Sequence, residues 1–325
     1  MSAPRISIAA LLACALLAGC GGDDSSSDEA PPAAKAADFP EPGGKTLVEL
    51  LNEVGGPGPV LAPSALELRT GSHRFGFALF NRSREQITDA SVAVYAAPAG
   101  GGPAKGPYPA RYESIEVKPQ FQSRQTASDP DAAKSIYTAE IPFDKPGKYD
   151  LLGIARLDGK LVSATLPMAG VVVKEESGDP IPAVGTRPPR IHTPTKAEVG
   201  GDLASIDTRL PPSSMHAADF ADVIGKKPVV LLFATPQLCQ SRVCGPVVDV
   251  AEQVKADSGD DVEFIHMEVF RDNRIDKGIR PQMAAFRLRS EPWLFVFDRS
   301  GKIAARIEGA FSERELQEAV SKATG

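Results

Sequence analysis

Two cysteines, Cys239 and Cys244, lie in the stretch 228–246, which reads P-V-V-L-L-F-A-T-P-Q-L-C-Q-S-R-V-C-G-P. Thiols in a C-x4-C spacing can close a disulfide, trade it with another, or hold a soft metal ion. The thiolate, not the thiol, is the form that attacks and ligates. Two local features favour it. Arg242 places a cation between the sulfurs, and Gly245-Pro246 opens an apolar repeat at helical spacing. Proline suits a first helical turn, where its missing N–H has no partner to lose. The positive end of the helix dipole would then lie beside Cys244. Cys244 is the first candidate for the attacking sulfur and Cys239 for the resolving one. The length of the loop leaves the opposite polarity open.

The flanking elements must hold this loop. Residues 229–233 are an unbroken apolar run, as expected of a strand buried on both faces. After Cys244, the residues Val247, Val250, Ala251 and Val254 recur at helical spacing. A second strand is expected over 262–269, a short helix around Met283, Phe286 and Leu288, and a third strand over 293–297. A hairpin turn at 298–302 follows, and Ser312 with Glu315 forms a capping box for a last helix.

This order, with Cys244-Gly245-Pro246, resembles the thioredoxin-like superfamily, whose active-site sequence begins with the same three residues. That family's second cysteine would fall at Val247, so the partner here is upstream. The resemblance implies an α/β thioredoxin-like domain over 217–325 and thiol–disulfide oxidoreduction without a cofactor. It also implies a cis-proline at Pro292 facing the cysteines, with Glu291 flanking a substrate groove. The order Thr235…Cys239…Cys244 is similar to the copper-handling Sco family as well. That likeness implies copper(I) on the two sulfurs with a histidine as third ligand, for which His266 is the candidate. Ser241-x-x-Cys244 echoes the T-x-x-C of peroxiredoxins. A further alternative is a permanent Cys239–Cys244 disulfide in a redox-inert binding module.

The N-terminus is expected to be a targeting signal, with Arg5 ahead of an apolar core too short to span a bilayer. Leu17-Ala18-Gly19-Cys20 resembles the lipobox of bacterial lipoproteins. The resemblance implies a signal peptide over 1–19, lipid on Cys20, and a protein held on the extracytoplasmic face of the cell membrane. Of four cysteines, Cys14 would leave with the signal and Cys20 would carry lipid. Cys239 and Cys244 then remain to pair with each other where disulfides persist.

Residues 20–57 read as a flexible tether by composition, with a weakly helical pattern over 46–54. Residues 58–175 alternate apolar and polar with turn signals such as Asp158-Gly159, which predicts an immunoglobulin-like β-sandwich. Residues 96–109 and 120–134 read as loops, and His73 as a solvated side chain. Residues 176–216 are proline-rich and read as a plain linker carrying His192 and His216. The net charge of −6 and the lack of a Lys/Arg-rich run exclude a nucleic-acid surface. The expected partner is an exported protein.

Overall fold

The computed structural model describes residues 33–325 apart from 56, 66, 89 and 167–169. The expected signal sequence and Cys20 lie outside the described residues. Among the described residues no helix is long and apolar enough to cross a membrane.

Helix α1 (Leu47–Val54) comes first, opened by Thr46, whose hydroxyl and backbone trade hydrogen bonds with Glu49. The segment read as a free tether is packed down well before residue 57. Phe39 and Leu50 are buried against Tyr95, Leu152 and Ile154, and Tyr95 donates to the Pro40 carbonyl at 2.7 Å. Apolar side chains at Phe39 and Leu50 outweigh the polar composition around them.

The β region contains β1 (Pro57–Pro63), β2 (Leu68–Arg69), β3 (Gly71–Phe80), β4 (Gln86–Ile87) and β5 (Ser91–Pro98). It continues with β6 (Lys105–Ser114), β7 (Ser135–Phe143), β8 (Gly147–Leu157), β9 (Lys160–Thr165) and β10 (Val171–Lys174). The expectation of two packed sheets is not what the ladder shows. One sheet runs β8-β5-β6-β7-β3-β1-β9, and β9 also pairs with β8, which closes it like a barrel. Its first half lets β8 pair with β10 while its second half pairs with β9. Residues 96–109, read as a loop, contain the start of β6. Pro107 and Pro109 mask its strand signal in the sequence. Phe75, Phe77 and Tyr137 stack inside the barrel, with ring centroids 5.5 and 5.6 Å apart.

Between β6 and β7, the short helix α2 (Arg124–Ser128) projects from the barrel towards the remaining elements. These are α3 (Phe220–Val223), β11 (Val229–Phe233), α4 (Cys244–Ser258), β12 (Glu263–Met267), α5 (Pro281–Ala285), β13 (Trp293–Phe297), β14 (Ile303–Glu308) and α6 (Glu313–Thr324). The sheet order is β12-β11-β13-β14, with β11 parallel to β12 and the other pairs antiparallel. This is the β-α-β-α-β-β-α order expected over 217–325. Val230, Leu232, Leu294 and Val296 face α4 and α6. Val229, Leu231, Phe233, Phe295 and Phe297 face Phe220 and Phe286 on the other side. Both faces are covered, so the two central strands, β11 and β13, are apolar at every position.

The stretch read as a plain linker is built into this core. Ile181 and Ile191 are buried against the outer face of the sheet, and Thr193, Asp207, Arg209 and His216 are buried as well. Polar bonds tie the barrel to the sheet at several points. Arg74 donates to Glu315 at 2.7 Å and to the Ala310 carbonyl at 2.8 Å, and Glu113 accepts from Ser312 at 2.9 Å. His73 is half-buried rather than solvated. Burial, then the nearby Arg69 and Arg306 cations, push its pKa down to about 4.

At Gly309 the backbone has φ of +79°, and an added Cβ would overlap the Ser64 carbonyl of the barrel. Gly309→Ala is therefore expected to lower stability by at least about 1–2 kcal/mol, the cost of the left-handed backbone alone. Thermal unfolding of the full chain checks this, and an unchanged melting temperature would contradict it.

Candidate functional site

β11 ends at Phe233 and the chain crosses to α4 through the loop that carries Cys239. Cys239 and Cys244 form a disulfide with a Cα–Cα distance of 6.0 Å. The two sulfurs have unequal surroundings. Cys239 is 9% exposed and Cys244 is 0% exposed. An incoming reactant therefore meets Cys239 first. The difference favours the second of the two polarities that the loop length leaves open, with Cys239 as the attacking sulfur. α4 has lost its free face at its N-terminal end because the barrel covers it. Ser123 donates from its backbone and its hydroxyl to Asp249 at 3.0 and 3.2 Å. Lys118 donates to Gln253 at 2.8 Å.

Glu291 stands opposite the buried sulfur. The Glu291–Pro292 peptide bond is cis. Glu291 Oε2 lies 3.6 Å from Cys244 Sγ and accepts the Thr235 N–H at 2.8 Å. Burial raises its pKa to about 8. The Thr235 N–H opposes the rise, the nearby Glu268 carboxylate adds to it, and His266 opposes it. A carboxyl that keeps its proton near neutrality can hand it to a leaving thiolate or take it back. The resemblance implies that Glu291 flanks a substrate groove, whereas Pro292 itself is buried. The barrel closes this side. The Glu67 N–H donates to the Glu308 carboxylate at 2.9 Å, and the Ser64 backbone abuts Gly309, whose N–H donates to the Pro292 carbonyl at 2.8 Å.

His266 is not a ligand for a metal at the sulfurs, because both its ring nitrogens are engaged elsewhere. Nε2 faces the Ala234 carbonyl at 3.0 Å, and Nδ1 faces Asp207 at 3.3 Å and Ser213 at 3.2 Å. A carbonyl on one side and a carboxylate on the other require a proton on each nitrogen. Burial alone would lower this pKa. Asp207 more than compensates, by charge and by hydrogen bond, and holds the imidazolium up to about 9. Asp207 also accepts from His216 Nε2 at 2.9 Å, from the Arg209 N–H at 2.8 Å and from the Ser213 N–H at 2.6 Å. Burial would raise its pKa, but the His266 charge and these donors keep it well below the usual carboxylate range. Ala234 and Thr235 share one peptide group. Its carbonyl accepts from His266 and its N–H donates to Glu291, which links the buried ion pair to the sulfur site.

Among the described residues, two groups could offer ligand atoms, those of each group lying within 4.8 Å of one another: Asp207, His216 and His266, and Cys239, Cys244 and Glu291. The first is internally neutralised and hydrogen-bonded. The second offers copper(I) two sulfurs but only a hard carboxylate as third donor.

No family model and no curated protein matches the sequence. Several solved structures are similar to part of it, among them the following two. One is a thioredoxin-like superfamily protein, at 20% identity and a TM-score of 0.28, over 34% of this chain and 87% of that one. The other is a thioredoxin-family thiol:disulfide interchange protein from Chlorobium tepidum TLS, at 18% identity and a TM-score of 0.32, over 44% of this chain and 99% of that one.

Sequence reasoning missed Asp207 and the barrel's part in the site. One signal was available. Asp249 interrupts the run Val247, Val248, Val250, Ala251, and an acid in a buried helical face demands a partner. That partner is Arg209, at 2.8 Å.

Proposed function

We propose that the protein is a thiol–disulfide oxidoreductase that exchanges its Cys239–Cys244 disulfide with cysteines of an exported protein while anchored to the membrane by lipid on Cys20. One observation carries the reading. Cys239 lines a cleft, whereas Cys244 is wholly buried against the Glu291 carboxyl. A substrate thiolate attacks Cys239 Sγ, and the bond to Cys244 breaks. Cys244 leaves as a thiolate and takes the proton of Glu291. A second substrate thiolate then attacks the substrate's own sulfur in the mixed disulfide and releases Cys239. Two electrons pass from substrate to protein, and the substrate leaves as a disulfide. The reverse sequence reduces a substrate disulfide, with Cys239 as attacking and Cys244 as resolving sulfur. The lipid anchor and the export rest on residues 1–20 as a lipobox-like signal.

Trapping tests the reading. The Cys244→Ser variant is expected to accumulate a mixed disulfide with a cysteine peptide through Cys239, and Cys239→Ser is expected to trap far less. A reduction potential between roughly −120 and −270 mV fits exchange, whereas a value below about −300 mV with no trapping indicates a structural disulfide and overturns the proposal.

A further inference from the structure

Cys239 opens onto a cleft of about 680 Å³ between the cysteine loop and the barrel. Asp129 and Pro130 stand on the barrel side, with Pro236, Leu238 and Gln240 on the other. The barrel wall is fixed in place. Arg124 N–H donates to the Leu210 carbonyl at 2.8 Å, and Gln125 accepts from the Leu210 N–H at 2.7 Å. Arg209 donates to the Phe121 carbonyl at 2.6 Å, and the Ala133 N–H to the Arg242 carbonyl at 3.2 Å. Asp129 and Arg242 form an ion pair across the cleft mouth. The wall is therefore set before anything binds, which lowers the ordering cost of binding.

The chemistry of the lining selects an occupant. The charges of Asp129 and Arg242 cancel, so a strongly charged ligand finds no counterpart. Exposed Gln237 and Gln240 each offer an amide donor and acceptor, the same pair that a peptide group presents. Prolines and Leu238 give apolar contact. The face beside Pro292 is closed by the barrel, as described above.

We propose that this cleft is the docking site for an uncharged, extended polypeptide segment carrying a cysteine. Residues 124–132 of the barrel contact it, and its sulfur reaches Cys239 there. The inference rests on the thiol–disulfide reading, and the experiment separates the two. The reduced full-length protein is offered, in single turnover, a disulfide-linked peptide with neutral flanks, the same peptide with Glu or Lys flanks, and bis(2-hydroxyethyl) disulfide; the Cys239/Cys244 dithiol is oxidised as each disulfide is reduced. In wild type, the second-order rate constant for the neutral peptide is expected to exceed that for either charged peptide by about ten-fold. Ser128→Trp on one wall and Gln240→Trp on the other are each expected to lower the ratio of the neutral-peptide rate to the bis(2-hydroxyethyl) disulfide rate at least ten-fold. The Cys244→Ser mixed disulfide with the neutral peptide is expected to slow amide exchange in 124–132.

An unchanged ratio in both variants overturns the cleft while the exchange reading stands. So does protection confined to the Ser64–Gly309 side, or equal rates for the three peptides. Failure of wild type to turn over any of the disulfides overturns the exchange reading itself.

Discussion

The Glu291→Gln variant is expected to oxidise dithiols about 10²-fold more slowly than wild type at pH 7, the lower end of what a positioned general acid contributes. Cys244 is wholly buried, and Glu291 is the carboxyl within reach of its sulfur. A thiolate released there without a proton would be a bare charge in a low-dielectric site. An amide at position 291 still accepts the Thr235 N–H, so the local fold is kept while proton transfer is lost. The pH dependence fixes the assignment. With the pKa raised to about 8, the carboxyl holds its proton below that value and loses it above. The wild-type advantage in oxidising a dithiol should fall as pH rises through about 8. In the reverse direction, where Cys244 must lose its proton, the advantage should grow over the same range. The protein has a single tryptophan, Trp293, next to Pro292, and its fluorescence gives a stopped-flow signal close to the site. Equal rates for variant and wild type at every pH would assign Glu291 a purely structural part.

The second large effect is on stability. Replacing His266 with alanine leaves Asp207 buried without its main counter-charge, which is expected to cost about 3–5 kcal/mol. The pH dependence has a definite sign. The folded pKa of His266 is raised to about 9 from an unfolded value of 6.5, so its contribution is complete below about 6.5 and is lost as pH rises through about 9. The difference in urea midpoint between wild type and His266→Ala should shrink across that window. A difference constant from pH 6 to 9.5 would mean that the imidazole is neutral in the folded protein.

How much of this was legible in the sequence depends on the range of the interactions involved. β11, the cysteine loop and the start of α4 are local. The run 229–233 and Gly245-Pro246 announce them, and they lie where the pattern puts them. The capping box at Ser312 and Glu315 is local too and is present in the structure. Asp207 meets His266 across 59 positions, and Ser123 meets Asp249 across 126. No spacing rule reaches that far. Closure of the β sheet is hidden for the same reason, since strand alternation shows which face is buried but not which edges meet. Composition misled at 176–216. Proline-rich chain can be a spacer, but Ile181, Ile191 and Asp207 make it part of the core. At Glu291 the resemblance implies a groove beside Pro292, and the contacts of Ser64 and Glu67 on that side lie more than 200 positions away in the chain.

The position of Asp207 has a consequence for how this protein can change over generations. Many chains gain or lose a catalytic unit by recombination at the connector that precedes it. A crossover at residue 217, where the regular α/β pattern begins, would hand the new host His266 without Asp207, and α4 without Arg209 and Ser123. The inherited unit therefore starts no later than Ile181 and includes the barrel segment that packs on α4. The two halves are bound to be transmitted together, and each constrains which substitutions the other can accept.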